Sequence, residues 1–472
     1  MFVEPPKDPW FILGEYMPPP YALLALAGYL ERSIPTCEIE IVDCQAERLD
    51  WNGLEDRIES AKPDIVAPSS LSTANTYAVL RTAELAKRAS PKATTVVGGQ
   101  HFTALAEESL CQYPDIDVVV RGEGEETFVQ LVKGIDSGSS LDDVKGISLR
   151  NRGDVLHTAS RDLICDLDSL PYPAYHLVEK HMKTYYFALM AEKNTPFGII
   201  EGSRGCQHNC SYCTQWRFWE QSHRYKSPGR IADEMENLHH KYGTRLFWLT
   251  DDNFDVSRRG ERVSGEIMDR GISEDIAWFT QARCDDIVEG RDLLPDMRKA
   301  GCIWVLVGFD TPSPVTLEQL RRRNLDKARA KEAVDLLREN SIFSQGTFII
   351  GERKDTRESI TAIRDYADWL DPDIATFMAL TPYPGTEIYE TARRNGWIED
   401  TNWSNYDMVH AIMPTEQLTR KQVQEELYEC YRSFFGSWKR RYQGMLSPNL
   451  ITRRIYQYLA RQAILTGLRS LF

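Results

Sequence analysis

Short runs of almost wholly apolar residues alternate with helix-compatible stretches along most of this chain, and that alternation limits the fold more than any other feature. A strand buried on both faces reads as a continuous apolar run, whereas a strand with one wet face alternates, so the runs predict parallel sheets sheathed by helices. The first set is Met1 to Val3, Glu38 to Val42, Ile65 to Ala67, Thr94 to Val97 and Ile116 to Val120, with helical stretches such as Tyr77 to Ala89 between them. It predicts a five-stranded, doubly wound, Rossmann-like α/β domain over residues 1–134 with right-handed crossovers. The second set is Gly198 to Glu201, Leu246 to Thr250, Ile276 to Thr280, Ile303 to Val307, Thr347 to Ile350 and Ala375 to Leu380. Separated by helical stretches such as Pro228 to Tyr242 and Arg357 to Leu370, it predicts a partial (β/α)6 barrel over residues 191–395. Residues 135–190, with a hairpin at Ile147 to Val155 and the proline-punctuated Leu167 to Pro173, read as a linker, and residues 396–472 as a mostly helical region with a basic tail.

Open parallel sheets bind ligands outside the carboxyl ends of their strands. In the first block those ends carry Pro5-Pro6, Ser69-Ser70-Leu71-Ser72, Gly98-Gly99-Gln100-His101 and Gly122-Glu123-Gly124. Small and hydroxyl side chains there let a ligand approach the backbone, although any one of these glycines serves equally well in a turn.

Just after the first strand of the second block comes Gly205-Cys206-Gln207-His208-Asn209-Cys210-Ser211-Tyr212-Cys213, a Cys-x3-Cys-x2-Cys loop. Soft thiolates so closely spaced suit an iron-sulfur cluster or zinc. Structural zinc wants a fourth ligand, for which His208 is the local candidate. A cluster held by three cysteines instead leaves one iron open to a substrate or cofactor.

The formal charge of -14 argues against a polyanion-binding body, so no nucleic-acid partner is expected. The segment from Arg432 onward nevertheless holds eight basic residues and no acid. Within it, Ile451 to Leu471 combines Arg453, Arg454, Arg461 and Arg469 with Ile455, Tyr458, Leu459, Ile464, Leu465 and Leu468, an amphipathic basic helix. Such a helix suits peripheral contact with an anionic membrane, or packing against the acidic body or the bottom of the barrel. No apolar run approaches the roughly 18 residues of a membrane span, and Glu4 and Pro5-Pro6 follow Met1 closely, unlike a secretory signal; a cytoplasmic location is expected.

These motifs together resemble the cobalamin-dependent radical S-adenosylmethionine (SAM) enzymes of methyltransferase type, over roughly residues 1 to 395. The cysteine loop carries an aromatic before its last cysteine, and it is accompanied by Leu249-Thr250-Asp251-Asp252-Asn253-Phe254, Thr280-Gln281-Ala282-Arg283, Gly308-Phe309-Asp310 and Thr381-Pro382-Tyr383-Pro384-Gly385-Thr386. The resemblance implies that Cys206, Cys210 and Cys213 hold a [4Fe-4S] cluster and that Asp251 and Asp252 hold the methionine amino group of SAM. It further implies that Tyr212 borders the adenine, that Arg283 pairs with the methionine carboxylate and that Asp310 belongs to the same cofactor site. A capped helix for the aspartates and a surface ion pair for Arg283 are the plain structural alternatives.

By the same resemblance Ser69, Ser70, Ser72, Gly98, Gly99, His101, Gly122 and Glu123 border cobalamin. The Asp-x-His-x-x-Gly motif that supplies a histidine to cobalt in some cobalamin proteins is absent, so no histidine–cobalt bond is expected. The implied activity is C-methylation of an unactivated carbon, one SAM yielding the 5'-deoxyadenosyl radical and a second donating the methyl group through methylcobalamin. An electron donor such as ferredoxin or flavodoxin is implied. A protein or peptide side chain, including residues of methyl-coenzyme M reductase, ranks ahead of a lipid as substrate. Ring formation or carbon–carbon joining on a tetrapyrrole or membrane lipid, and a non-catalytic cobalamin or iron-sulfur sensor, are the alternatives.

Overall fold

The computed structural model describes residues 1–7, 16–69, 72–151, 153–192 and 195–469, with side chains to residue 461. The first apolar runs form β1 (Phe2–Glu4), β2 (Ile41–Asp43), β3 (Ile65–Pro68), β4 (Thr94–Val97) and β5 (Val118–Val120). They lie side by side in the order β2-β1-β3-β4-β5, all parallel. Val3, Val42 and Val66 are fully buried, as continuous apolar strands require when helices cover both faces. The crossover helices include Tyr21–Ser33, which starts after Pro20, and Thr76–Ala89.

The stretch read as a linker is partly sheet and partly core. β6 (Ile147–Asn151) and β7 (Asp154–His157) form an antiparallel hairpin on the exposed edge of β5, giving seven strands where five were expected. The hairpin was legible, but the free edge it would cover was not. Farther on, Tyr175, Val178, Tyr185 and Phe187 are buried, and the Tyr175 hydroxyl donates to the Ile199 carbonyl at 3.0 Å. These residues join a single apolar cluster that runs from Phe2 and Leu24 to Trp304 and Phe377, so both sheets share one core.

The second block opens with β8 (Phe197–Ile200), followed by a small antiparallel hairpin of β9 (Ser203–Gly205) and β10 (His223–Tyr225) that brackets the cysteine loop. β11 (Leu246–Leu249), β12 (Ala277–Ala282), β13 (Cys302–Asp310), β14 (Phe343–Ile350) and β15 (Ile374–Ala379) complete a parallel sheet in sequential order from β8. Its first and last strands remain edges, so the barrel is partial. The intervening helices are capped as their sequences suggest: Ser227 accepts from Arg230 N ahead of Pro228, and Thr356 and Ser359 form a reciprocal capping box.

The C-terminal region is helical. The helix Arg420–Gly436 buries Val423, Leu427 and Phe434, and Tyr431 donates to the Phe377 carbonyl of β15. In the last helix, Leu450–Arg469, Ile455 and Tyr456 are buried, and Thr452 and Tyr456 donate to the side chain and carbonyl of Asp373, just before β15. That part of the tail packs on the amino-terminal edge of the barrel. The side chains of Ile464, Leu465, Leu468 and Arg469, which the sequence places on the amphipathic helix, lie outside those described.

The carboxyl edges of the two sheets face each other across a buried ion network. Arg204 of β9 donates to Glu123 at 2.7 Å, Glu125 at 2.6 Å and Glu201 at 3.0 Å, and Arg224 of β10 reaches Glu123 at 2.9 Å. Removing one member of such a network strands its partners in a medium that cannot solvate them. Arg204→Ala is expected to cost about 3–5 kcal/mol of unfolding free energy, read from urea denaturation of the apo-protein, with Arg204→Lys losing less.

Candidate functional site

A cavity of about 660 Å³ lies between the two carboxyl edges. From the first sheet it is lined by Ser69, Ser72, Gly98, Gly99, His101, Gly122 and Glu123, and from the second by Asp252, so these eight sequence-predicted residues are brought to one place. Ser70 lies outside the described residues. Gly99 adopts φ +88 and Gly122 φ +69, the left-handed region in which a side chain would be strained. Apolar walls come from Leu26, Phe128, Ile199, Phe218, Trp219 and Trp248.

His101 is buried, its ring edge-on to Trp403 at 4.9 Å, and its Nδ1 has no hydrogen-bond partner among the described residues. Burial lowers its pKa from 6.5 to about 4, so the ring is neutral at physiological pH.

The cysteine loop is fixed at both ends. Gly205 takes φ +89 at a position where an added Cβ would also collide with the Ser222 carbonyl, and its N–H donates to Asp252 at 3.2 Å. Thr214, directly after Cys213, donates to the Gln100 side-chain oxygen at 2.7 Å, and the Gln100 amide donates to Gln215 at 2.7 Å. Gln215 also accepts from the Trp219 indole at 3.2 Å. The loop after β4 is thus hydrogen-bonded directly to the end of the cysteine loop. Gln100 lies within the Gly98 to His101 motif, but nothing in the sequence indicates its partners.

All three loop cysteines are free thiols. Burial raises Cys206 to about 11 and Cys213 to about 12, and the thiols lie close enough to oppose one another's ionisation. A cationic iron centre reverses that penalty, since coordination deprotonates a thiol outright. Among the described residues no three His, Cys, Asp or Glu side chains are placed to share one metal ion. A cubane makes no such demand, because its cysteines bind different irons. Three neighbouring thiols beside a cavity fit a three-cysteine cluster.

The paired aspartates divide. Asp252 lines the cavity, and burial raises its pKa to about 7 against the opposing pull of the Gly205 N–H. Asp251 does not line it: fully buried, it accepts from Ser203 at 2.5 Å and pairs with Arg259, while its second oxygen lacks a partner. Arg283 is also committed elsewhere, with Nε donating to Asp285 at 3.0 Å and only Nη1 unpartnered. Tyr212 and Asp310 do meet, the hydroxyl donating to the carboxylate at 3.2 Å, and Arg322 pairs with Asp310 at 2.7 Å. Asp310 holds φ +51 at an irregularity between β13 and β14, a conformation that a short polar side chain tolerates. Cys206, Cys210, Cys213, Tyr212, Asp251, Arg283 and Asp310 are not among the cavity-lining residues.

Because His101 stays neutral when folded but protonates when unfolded, its contribution is lost as pH falls from about 6.5 to about 4. His101→Phe is expected to flatten that part of the acid-denaturation profile of the apo-protein; an unchanged slope there would assign the sensitivity to other groups.

Two family models match the chain: the B12 binding domain over residues 14–132 and the radical SAM superfamily over residues 200–367. An uncharacterized methyltransferase of Pyrococcus horikoshii is 30% identical over 441 residues, 93% of this chain and 90% of the relative. The anaerobic magnesium-protoporphyrin IX monomethyl ester cyclase of Cereibacter sphaeroides is 30% identical over 88% of this chain and 67% of the relative. Among solved structures, the radical SAM methyltransferase TsrM of Kitasatospora setae, with cobalamin and a [4Fe-4S] cluster bound, superposes with a TM-score of 0.69 at 18% identity, covering 92% of this chain and 88% of that one.

Proposed function

The chain belongs to the cobalamin-dependent radical SAM enzymes, and on that premise we propose that it is a C-methyltransferase acting on an unactivated carbon. The observation that carries the proposal is the cavity bordered by the strand-end loops of the first sheet and tied through Gln100 to the cysteine loop of the second. The cofactors are cobalamin, a [4Fe-4S] cluster and SAM; bound together they supply one-electron cleavage of SAM and methyl transfer through cobalt.

The chain's own residues bind and orient. Cys206, Cys210 and Cys213 would ligate the cluster, leaving one iron for SAM. Asp252 is the cavity-facing carboxylate for the ammonium of SAM, and a cation beside it would return its raised pKa toward the usual carboxylate range. Asp251, held by Arg259 and Ser203, would position its neighbour. Tyr212 and Asp310 form a hydrogen-bonded pair for the adenosine side, and Arg283 has Nη1 left for a carboxylate. Ser69, Ser72, Gly98, Gly99, His101, Gly122 and Glu123 form the wall on which cobalamin would lie. Phe218, Trp219 and Trp248 help exclude water from a reaction that open solvent would quench.

An external one-electron reductant is required, with ferredoxin or flavodoxin the proposed class. A protein or peptide side chain, residues of methyl-coenzyme M reductase included, is the proposed substrate class. Ring formation on a tetrapyrrole is a second reading, favoured by the 30% identity to the cyclase across 88% of the chain.

Anaerobic turnover with methyl-labelled SAM is expected to give a labelled product, with one S-adenosylhomocysteine and one 5'-deoxyadenosine for each methyl transferred. A product of unchanged carbon count, formed with 5'-deoxyadenosine but without S-adenosylhomocysteine, would select ring formation. Bound cofactors without any SAM consumption would select a sensor. Changing Cys206, Cys210 and Cys213 together to alanine should abolish iron incorporation on anaerobic reconstitution; a variant that retained the cluster would overturn the ligand assignment.

A further inference from the structure

The helix Trp438–Met445, the turn after it and the first residue of the last helix carry an exposed stripe that no packing among the described residues covers. Trp438 is 80% exposed, Tyr442 65%, Leu446 61% and Leu450 68%. Trp438, Tyr442 and Leu446 recur every four residues, so they share one face of the helix. Lys439 and Arg441 stand on either side of that face, both exposed and neither in an ion pair among the described residues.

The opposite face is anchored, which makes the stripe a fixed surface. Arg440 pairs with Asp371 at 2.6 Å and Asp368 at 3.2 Å and lies over the Phe434 ring at 3.8 Å. Gly444 is buried so tightly against Tyr456 that a Cβ would enter its ring. The basic helix that the sequence put forward for a surface role turns its own Ile455 and Tyr456 inward, and the shorter helix before it presents the apolar edge instead.

We propose that this face docks on an anionic lipid bilayer. The chemistry chooses the partner: an indole and a phenol sit well at a headgroup boundary, aliphatic tips enter the acyl layer, and flanking cations meet lipid phosphates. Charge is complementary, since the segment from Arg432 onward carries basic residues and no acid, and the two aspartates beside the helix, Asp368 and Asp371, are already paired with Arg440. Nucleic acid would find no use for Leu446 and Leu450. The surface adjoins Asp371 to Asp373, at the amino-terminal edge of the barrel, so docking leaves the cavity at the carboxyl edge open to the aqueous side.

The test is co-sedimentation of the full chain with vesicles of phosphatidylcholine, with or without phosphatidylglycerol, across a salt series. Binding is expected to require the anionic lipid and to weaken with salt. Trp438→Ser with Tyr442→Ser should reduce binding to the level of neutral vesicles, while Lys439→Gln and Arg441→Gln should each weaken partition roughly five-fold. These side chains are exposed, so unchanged far-ultraviolet circular dichroism is expected of all the variants. Equal sedimentation of the wild type with both vesicle types would overturn the proposal. So would charge variants that bind as the wild type does, or a lipid-free dimer, seen by sedimentation velocity, that the serine pair dissolves.

Discussion

A guanidinium held among three carboxylates in the interior sets the relation between the two halves of this molecule. Arg204 leaves β9 one residue before the turn that begins the cysteine loop, and it reaches Glu123 and Glu125 beyond β5 as well as its own neighbour Glu201. Burying such charges carries a desolvation cost that their mutual attraction offsets only when the geometry is good, so their value lies less in net stability than in permitting one arrangement. Slide or rotate one carboxyl edge against the other and two glutamates are left without cations. Trp219 lies against Arg204 and Arg224, 5.6 and 5.5 Å from its ring centre, and tightens the same corner. The cavity exists because these edges cannot separate cheaply.

Two like charges side by side in the chain have been given different fates. Asp251 faces Arg259 on the helix Val256–Asp269, whereas Asp252 faces the cavity, is in no ion pair among the described residues and resists ionisation. One carboxylate holds the strand end, and the other borders the cavity. A cationic ligand beside the second would offset the penalty that burial places on its ionisation.

What the sequence made legible was whatever a single segment decides by itself. The run Thr94 to Val97 is a strand with those bounds, and Ile374–Ala379 lies within one residue of its expected position, because an apolar run flanked by turns has few other uses. The cysteine spacing likewise announced its chemistry. What could not be read were pairings between distant segments. Arg283 looked free for a carboxylate because its neighbour Asp285 gives no hint that it will turn back on it. Tyr175, Tyr185 and Phe187 looked like parts of a connector because their partners, Ile199 and the core of the second sheet, lie across a fold not yet made. The hairpin after residue 146 was recognised as a hairpin, but not as the cover of an open sheet edge.

The contact between Gln100 and the cysteine loop has a direction. The Trp219 indole can only donate, so the Gln215 amide must present its oxygen there, and that oxygen is also the one that receives the Gln100 amide. Gln100 must then offer its own oxygen to the Thr214 hydroxyl. One indole proton therefore sets the polarity of a relay that crosses from one sheet to the other. A carboxylate at position 100, the product of simple deamidation, keeps the shape of the side chain but loses the proton it gives to Gln215. Two oxygens would then oppose each other at the join, and chemical ageing of one amide would break this link between the cysteine loop and the first sheet while the Arg204 network still held the two edges together.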